Sequence, residues 1–172
     1  MWSSDRYSAR GGALLVALAL LAGCGFQPLY GTTASSGGVT EQYQQIHVDP
    51  IPDRIGQQIR NFLLDRLNPY GQPARPAYRL TVEPTISITE LGIKRDETAT
   101  RALLLLHVRY SLLESATDRE LFAASARSTN SFNIVDSEFA TKSAENDALE
   151  RAAREVSEAI RIRLGIFFKT GE

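Results

Sequence analysis

The spacing of apolar residues along this chain changes repeatedly, and each change marks an element. Residues 13–22 (ALLVALALLA) form an unbroken apolar run. Residues 25–44 carry no hydrophobic period. Pro28, Gly31, Gly37 and Gly38, mixed with Thr32, Thr33, Ser35 and Ser36, read as a flexible tether reaching roughly 25 Å. Ile46-His47-Val48 is a short strand candidate, stopped by Pro50 and Pro52. Over 53–67, residues Ile55, Ile59, Phe62, Leu63 and Leu67 share one helical face, and Asn68-Pro69-Tyr70-Gly71 ends that helix.

From 78 to 89 the period drops to two. Tyr78, Leu80, Val82, Ile86 and Ile88 lie on one parity, with Arg79, Thr81, Glu83, Thr85, Ser87 and Thr89 on the other. Pro84 interrupts the apolar row and predicts a sheet edge or a bulge there. A charged loop (92–98) follows. A second strand (100–114) keeps Leu104, Leu106, Val108, Tyr110 and Leu112 in phase, and a third (120–134) has Phe122, Ala124, Ala126 and Phe132 on one parity. Residues 142–168 return to helical spacing through Leu149, Ala152, Ala153, Val156, Ile160, Leu164 and Phe167, with Gly165 weakening the last turn. The order β-α-β-β-β-α predicts an α+β fold. One strand–helix–strand unit makes a right-handed crossover, and the long strands pair antiparallel. Alternating strands need one covered face, so the expected architecture is a two-layer sandwich: a mixed sheet of about four strands with both helices on one face.

Composition narrows the function more than the fold. Of 172 residues, 43% are hydrophobic and 23% charged, which excludes a disordered, collagen-like or polytopic membrane chain. With 19 Lys+Arg against 20 Asp+Glu, the net charge of -1 offers no basic footprint for nucleic acid. One cysteine permits neither an internal disulfide nor a multi-cysteine metal site, and two histidines leave little for a metal cluster. No cofactor is called for.

The single cysteine is informative through its position. Arg6 and Arg10 form a positive start ahead of the 13–22 run, which is too short to span a bilayer as a stable helix but fits the apolar part of a secretory signal. The run ends at Leu21-Ala22-Gly23-Cys24, which resembles the lipobox of bacterial lipoproteins. In that pattern small residues thread the protease site, and the Cys24 thiol takes a diacylglycerol and becomes the new N-terminus. More than one acyl chain gives stable anchoring, at about 0.8 kcal/mol per buried CH₂. Gly25, where an Asp would retain a lipoprotein in the inner membrane, suggests by the same resemblance the outer membrane. The expected organisation is a signal peptide (1–23), a lipidated Cys with its tether (24–44) and one domain (45–169). The mature chain carries 17 basic and 19 acidic side chains.

Catalytic patterns are missing from the sequence: no Gly-x-Ser-x-Gly elbow, no phosphate-binding Gly-rich loop, no His-Glu-x-x-His. His47 and His107 read as structural or surface histidines, and Asp96-Glu97 as a solvated loop tip. Two features read as binding candidates. Lys94, Arg95 and Arg101 lie at the turn between the first two long strands, and Lys142 begins the last helix, at what the topology makes the same end of the sheet. Together they suit an anionic group, since Arg pairs well with phosphate, although solvated loop charges explain the same residues. Leu103-Leu104-Leu105-Leu106 makes both faces of its strand apolar, pointing either to a contact outside the domain or to an extra local core contact.

The start of the mature chain, Cys24-Gly25-Phe26-Gln27-Pro28-Leu29-Tyr30-Gly31, resembles the LPS-assembly lipoprotein LptE family in its alphaproteobacterial form. The element order agrees with that family over essentially the whole mature chain, as does the Ala-Arg-rich last helix (Glu150-Arg151-Ala152-Ala153-Arg154) ending near Phe167-Phe168. The resemblance implies a non-enzymatic outer-membrane lipoprotein on the periplasmic side, seated in the lumen of the LptD β-barrel. There it would help the barrel assemble and bind lipopolysaccharide during delivery to the outer leaflet. It also implies Arg95 and Lys142 as lipopolysaccharide-binding residues, with Lys94 and Arg101 as their neighbours. The rival readings are an auxiliary lipoprotein of a lipid-transport ABC system and, from a different class, a periplasmic hydrolase.

Overall fold

The computed structural model describes residues 34–93 and 99–171. Its elements are α1 (Ala34–Gln44), β1 (Ile46–Val48), α2 (Asp53–Leu67), β2 (Tyr78–Ile93), β3 (Ala99–Glu114), β4 (Glu120–Asn133) and α3 (Glu138–Thr170). The sheet order is β1-β2-β3-β4, with β1 parallel to β2 and the long strands antiparallel. This is the expected α+β architecture, an open four-stranded mixed sheet, with one helix more than the sequence pattern showed.

Alternation decides which face is covered. The register aligns Leu80 with Leu112 and Phe122, Val82 with Tyr110 and Ala124, and Ile86 with Leu106 and Ser128. On this inner face Leu80, Leu104, Leu106, Val108 and Leu112 are fully buried. Each such side chain contributes about 1.5–3 kcal/mol of hydrophobic stabilisation. Ile59, Leu63 and Leu67 come from the apolar stripe of α2, and Ala148, Ala152, Ala153, Val156, Ile160 and Leu164 from that of α3. Pro84 sits where β2 has run past the three residues paired with β1, so its missing N–H falls on an open edge, as the sequence allowed. A bulge between Leu112 and Leu113 absorbs Leu121 on the facing strand.

Two local departures have clear causes. Residues 34–44, expected as part of the tether, form α1; residues 24–33 lie outside the described ones. Nothing in the composition of α1 favours a helix. Tertiary contacts hold it: the buried Tyr43 hydroxyl donates to the Arg161 carbonyl at 2.7 Å, and its ring meets Phe168 edge-on at 6.2 Å. Helix α3 starts at Glu138, a turn before the expected residue 142. Ser137 caps it by accepting from the Ala140 N–H at 3.3 Å, and Thr141 both donates to the Val135 carbonyl and accepts from its N–H. At the other end Gly171, at φ 75°, supplies the left-handed residue that returns its N–H to Phe167.

The C-terminal end of α3 is sealed by aromatic rings. Phe168 lies 5.3 Å from Tyr78, Phe167 stacks on Phe122 at 5.1 Å, and Phe122 reaches Tyr110 at 6.2 Å. Glu158 on α3 binds Arg66 of α2 at 3.1 Å and Arg161 of its own helix at 2.6 Å, tying the two helices together. The Arg161 hydrogen bonds, helped by Arg66, hold the Glu158 carboxyl below the usual range.

Gly165 is explained by Tyr43. A Cβ at 165 would collide with the Tyr43 hydroxyl, whereas the next ring atom is 3.5 Å away, an ordinary contact. Gly165→Ala should therefore destabilise the native chain by about 1–2 kcal/mol, the steric cost outweighing the gain in helix propensity. In a Tyr43→Phe background the same change should be stabilising by up to about 1 kcal/mol. Urea denaturation of the four chains checks the sign reversal.

A second expectation concerns pH. A carboxyl whose pKa is depressed by folding contributes stability above its ordinary value and loses it as pH falls through the folded value. Stability should fall below about pH 4.5, the ordinary value of this group. The fall should be shallower in Glu158→Gln, measured by thermal unfolding across the acid range.

Candidate functional site

With α2 and α3 both on the inner face, the opposite face of the sheet stays open among the described residues. Its rows follow from the register. Thr81, Ser111 and Ala123 form one, Glu83, Arg109 and Ser125 the next, then Thr85, His107 and Arg127, and then Ser87, Leu105 and Thr129. Hydroxyls and charges dominate, as the polar parity of the first long strand predicted for Arg79, Thr81 and Glu83; Arg109, Arg127 and Thr129 extend it across the sheet. Glu83 and Arg109 pair across strands at 3.3 Å, and Arg79 bridges Asp118 at 2.9 Å and Asp49 at 3.5 Å. Small side chains at Ala123 and Ser125 leave a shallow depression of about 450 Å³ between Thr81, Glu83 and Arg109.

The four-leucine run divides as its parity dictates. Leu104 and Leu106 are fully buried in the core, while Leu103 is half-buried and Leu105 37% exposed on the open face. Leu105 is thus a large apolar side chain standing between Ser87 and Thr129.

The candidate anion-binding residues are only partly placed. Cys24, Lys94 and Arg95 lie outside the described residues. Arg101 is exposed at the start of β3, opposite Leu91 and Asn133, and with Leu91, Gly92 and Asn133 it lines a shallow depression. Lys142 is exposed on the second turn of α3, its Nζ bound to Glu145 at 2.8 Å. β2 runs out to Ile93, β3 returns from Ala99, β4 ends at Asn133 and α3 begins five residues later, so Arg101 and Lys142 share one end of the domain. They do not share a face: Arg101 stands on the open side, and α3 packs on the other.

Sequence reasoning missed a groove at this same end. Asp53, Arg54, Ile55 and Gln58 of α2, Pro84 and Ile86 of β2, and Asn146 and Leu149 of α3 line a space of about 380 Å³. Ile86 and Ile88 belong to the inner face yet are 39% and 43% exposed. Length explains it. The 15 residues of α2 span about 22 Å, whereas the 16 of β2 span about 54 Å, so the strand overshoots its helix. The element lengths alone carried that signal. His47 lies 3.9 Å from Asp49, and among the described residues no three His, Cys, Asp or Glu gather to hold a metal. No helix among them is long and apolar enough to cross a membrane.

The chain is similar to several solved bacterial proteins. A candidate lipoprotein of Caulobacter crescentus aligns with a TM-score of 0.64 and 25% identity, covering 78% of this chain and 98% of its own. Rare lipoprotein B from Shewanella oneidensis aligns at 0.55 and 10% identity, covering 70% and 92%. A minor lipoprotein of Acinetobacter baumannii aligns at 0.51 and 17%, covering 70% and 88%. The last two likenesses establish a shared fold. No curated protein matches in sequence. The profile of the LptE family, described as lipopolysaccharide-assembly, matches residues 43–164.

Proposed function

The chain belongs to the LptE lipopolysaccharide-assembly family, and from that premise we propose that it occupies the lumen of the LptD β-barrel, assists its assembly, and contacts lipopolysaccharide on its way to the outer leaflet. Membership makes it a lipopolysaccharide-assembly lipoprotein of the outer membrane. The lipobox reading supplies the attachment: signal-peptide removal after Gly23 and diacylation of Cys24, with the domain on the periplasmic side. The role is one of binding and scaffolding, without a catalytic step.

The observation that carries the reading is the open sheet face. A domain enclosed by a barrel must meet an inner wall lined by polar side chains. Rows of Thr, Ser, Glu and Arg, with charges compensated across strands as in Glu83 and Arg109, suit a wet, hydrogen-bonded contact of that kind. A wholly apolar face would suit lipid or a dry interface instead. Leu105 adds an apolar anchor in the middle of the polar field, the arrangement found where a few buried groups carry most of an interface.

The contact with lipopolysaccharide is placed at the hairpin end. Arg95 and Lys142 are the principal cations of this reading, and Lys94 and Arg101, their neighbours by the family resemblance, are the lesser ones. Lipid A phosphates are anionic, and a guanidinium binds phosphate in a forked, charge-assisted geometry. The Lys142–Glu145 pair is exposed on the lysine side, so exchanging Glu145 for a phosphate costs little.

Depletion of the protein should leave the barrel misassembled and lipopolysaccharide withheld from the surface. The tagged chain should bring the barrel out of outer-membrane extracts. Leu105→Asp should stay folded with its melting temperature lowered by no more than a few degrees, its side chain being 37% exposed, while recovering less barrel. Normal surface lipopolysaccharide after depletion, or recovery of an inner-membrane permease in place of a barrel, would refute the reading.

For the lipid contact, Arg95→Asp with Lys142→Asp should weaken binding of purified lipopolysaccharide by roughly tenfold or more, two charge-assisted contacts being reversed. Circular dichroism should show the fold unchanged. Equal binding by the double variant removes these residues from the site.

A further inference from the structure

We propose that a cleft at the free edge of β4, framed by His107, Arg127 and Arg163, binds a phosphate-bearing anion. This site goes beyond the lipopolysaccharide contact placed at the hairpin end. His107 lies six residues along β3 from Arg101, about 20 Å at the usual strand rise.

Register and helix packing create the cleft. His107 and Arg127 are cross-strand partners on the open face. Arg163 comes from α3, which packs behind β4. Ser125, Ala126 and Ala159 are the small residues between them, and together the six line a space of about 420 Å³. No carboxylate lines it. Six of the thirteen described arginines are in ion pairs, and the two here are among the seven that are not. Arg127, Arg163 and His107 make neither an ion pair nor a side-chain hydrogen bond among the described residues. In a chain of net charge -1, these groups are gathered where acids are absent.

Three further observations fit an anion there. The guanidinium fork matches phosphate geometry and delivers two parallel donors. β4 is an edge strand, so alternate amide N–H groups face outward with no partner strand among the described residues, and the Ser125 hydroxyl adds another donor. Behind the strand, the Tyr110 hydroxyl belongs to a side chain 3% exposed and has no hydrogen-bond partner, and Arg163 is the cation whose charge reaches it. Arg127 and Arg163 are both exposed, so an anion in the cleft reaches them directly from solvent.

The chemistry is common to two sources, a phosphorylated lipid headgroup and free phosphate. The test uses the full chain, isotope-labelled and titrated with inorganic phosphate while the Arg Nε–H and His107 ring resonances are followed. Co-sedimentation with phosphatidylcholine vesicles, with and without phosphatidic acid, is measured in parallel. Saturable shifts at His107, Arg127 and Arg163 are expected. They should weaken roughly tenfold or more in the Arg127→Gln, Arg163→Gln double variant, and persist in Arg75→Gln, an exposed loop arginine elsewhere. Tighter binding to phosphatidic-acid vesicles than to phosphate identifies a lipid headgroup as the source; equal or weaker binding identifies free phosphate. Absence of saturable binding to both probes, or equal shifts in the double variant, overturns the site. Neither result bears on barrel recovery, so failure here and failure of the barrel reading are separable.

Discussion

The close seating of one long helix on one face of the sheet organises this domain. Ala148, Ala152 and Ala153 are fully buried, and the strand beneath answers with Ala124, Ala126 and Ser128 on its inner parity. Small residues on both sides bring α3 near enough for Val156, Ile160 and Leu164 to reach the leucines of β3. The large rings are kept to the ends, Phe132 at one and Phe122 against Phe167 at the other. At 33 residues α3 is about 50 Å long and matches the strands, so a single helix covers most of what α2 leaves bare. With the apolar residues of the strands gathered on that side, Ile86 and Ile88 at the overshooting end of β2 being the exposed exceptions, the opposite side is free to be mostly polar. The openness of the opposite face is thus a consequence of how the core is built.

Much of this was legible because it is periodic. Alternation over β2, β3 and β4 and the stripes of α2 and α3 come from burial on one side, which local sequence records directly. What was illegible comes from contacts between distant segments. Helix α1 has Gly37 and Gly38 in its body and no apolar stripe; it exists because Tyr43 reaches a carbonyl 118 residues away. Gly165 looked like a weak point in a helix and is instead the space that phenol needs. The first turn of α3 is set by Ser137 and Thr141, polar residues that no hydrophobic pattern reveals.

The candidate site divides along the same line. Arg101 and Lys142 could be assigned to one end because hairpin topology fixes the ends of strands, and topology follows from element order. That they stand on different sides of the sheet depends on parity at one position and on helix placement at the other. The gathering of His107, Arg127 and Arg163 could not be read at all. The first two are joined by the register of β3 and β4, the third by the rotation of α3, and none of these is encoded in a short window.

The polar face and the free edge also bear on specificity. A row of hydroxyls and charges is stable in water, and burying it against a surface that offers no matching donors and acceptors costs free energy at each orphaned group. Such a face discriminates strongly between partners while attracting few of them, unlike an apolar patch of the same area. The edge of β4 works in the opposite sense. It is 14 residues long, with no proline or lysine, and a long free edge invites pairing with any extended chain. Arg127, midway along it, is the charge that opposes such pairing, and Arg163 reinforces it from the helix behind. Enclosure in a barrel lumen would remove the hazard altogether by excluding other chains. In the domain by itself the same two arginines keep the strand solvated, so their freedom from carboxylate partners serves the domain whether or not an anion binds there.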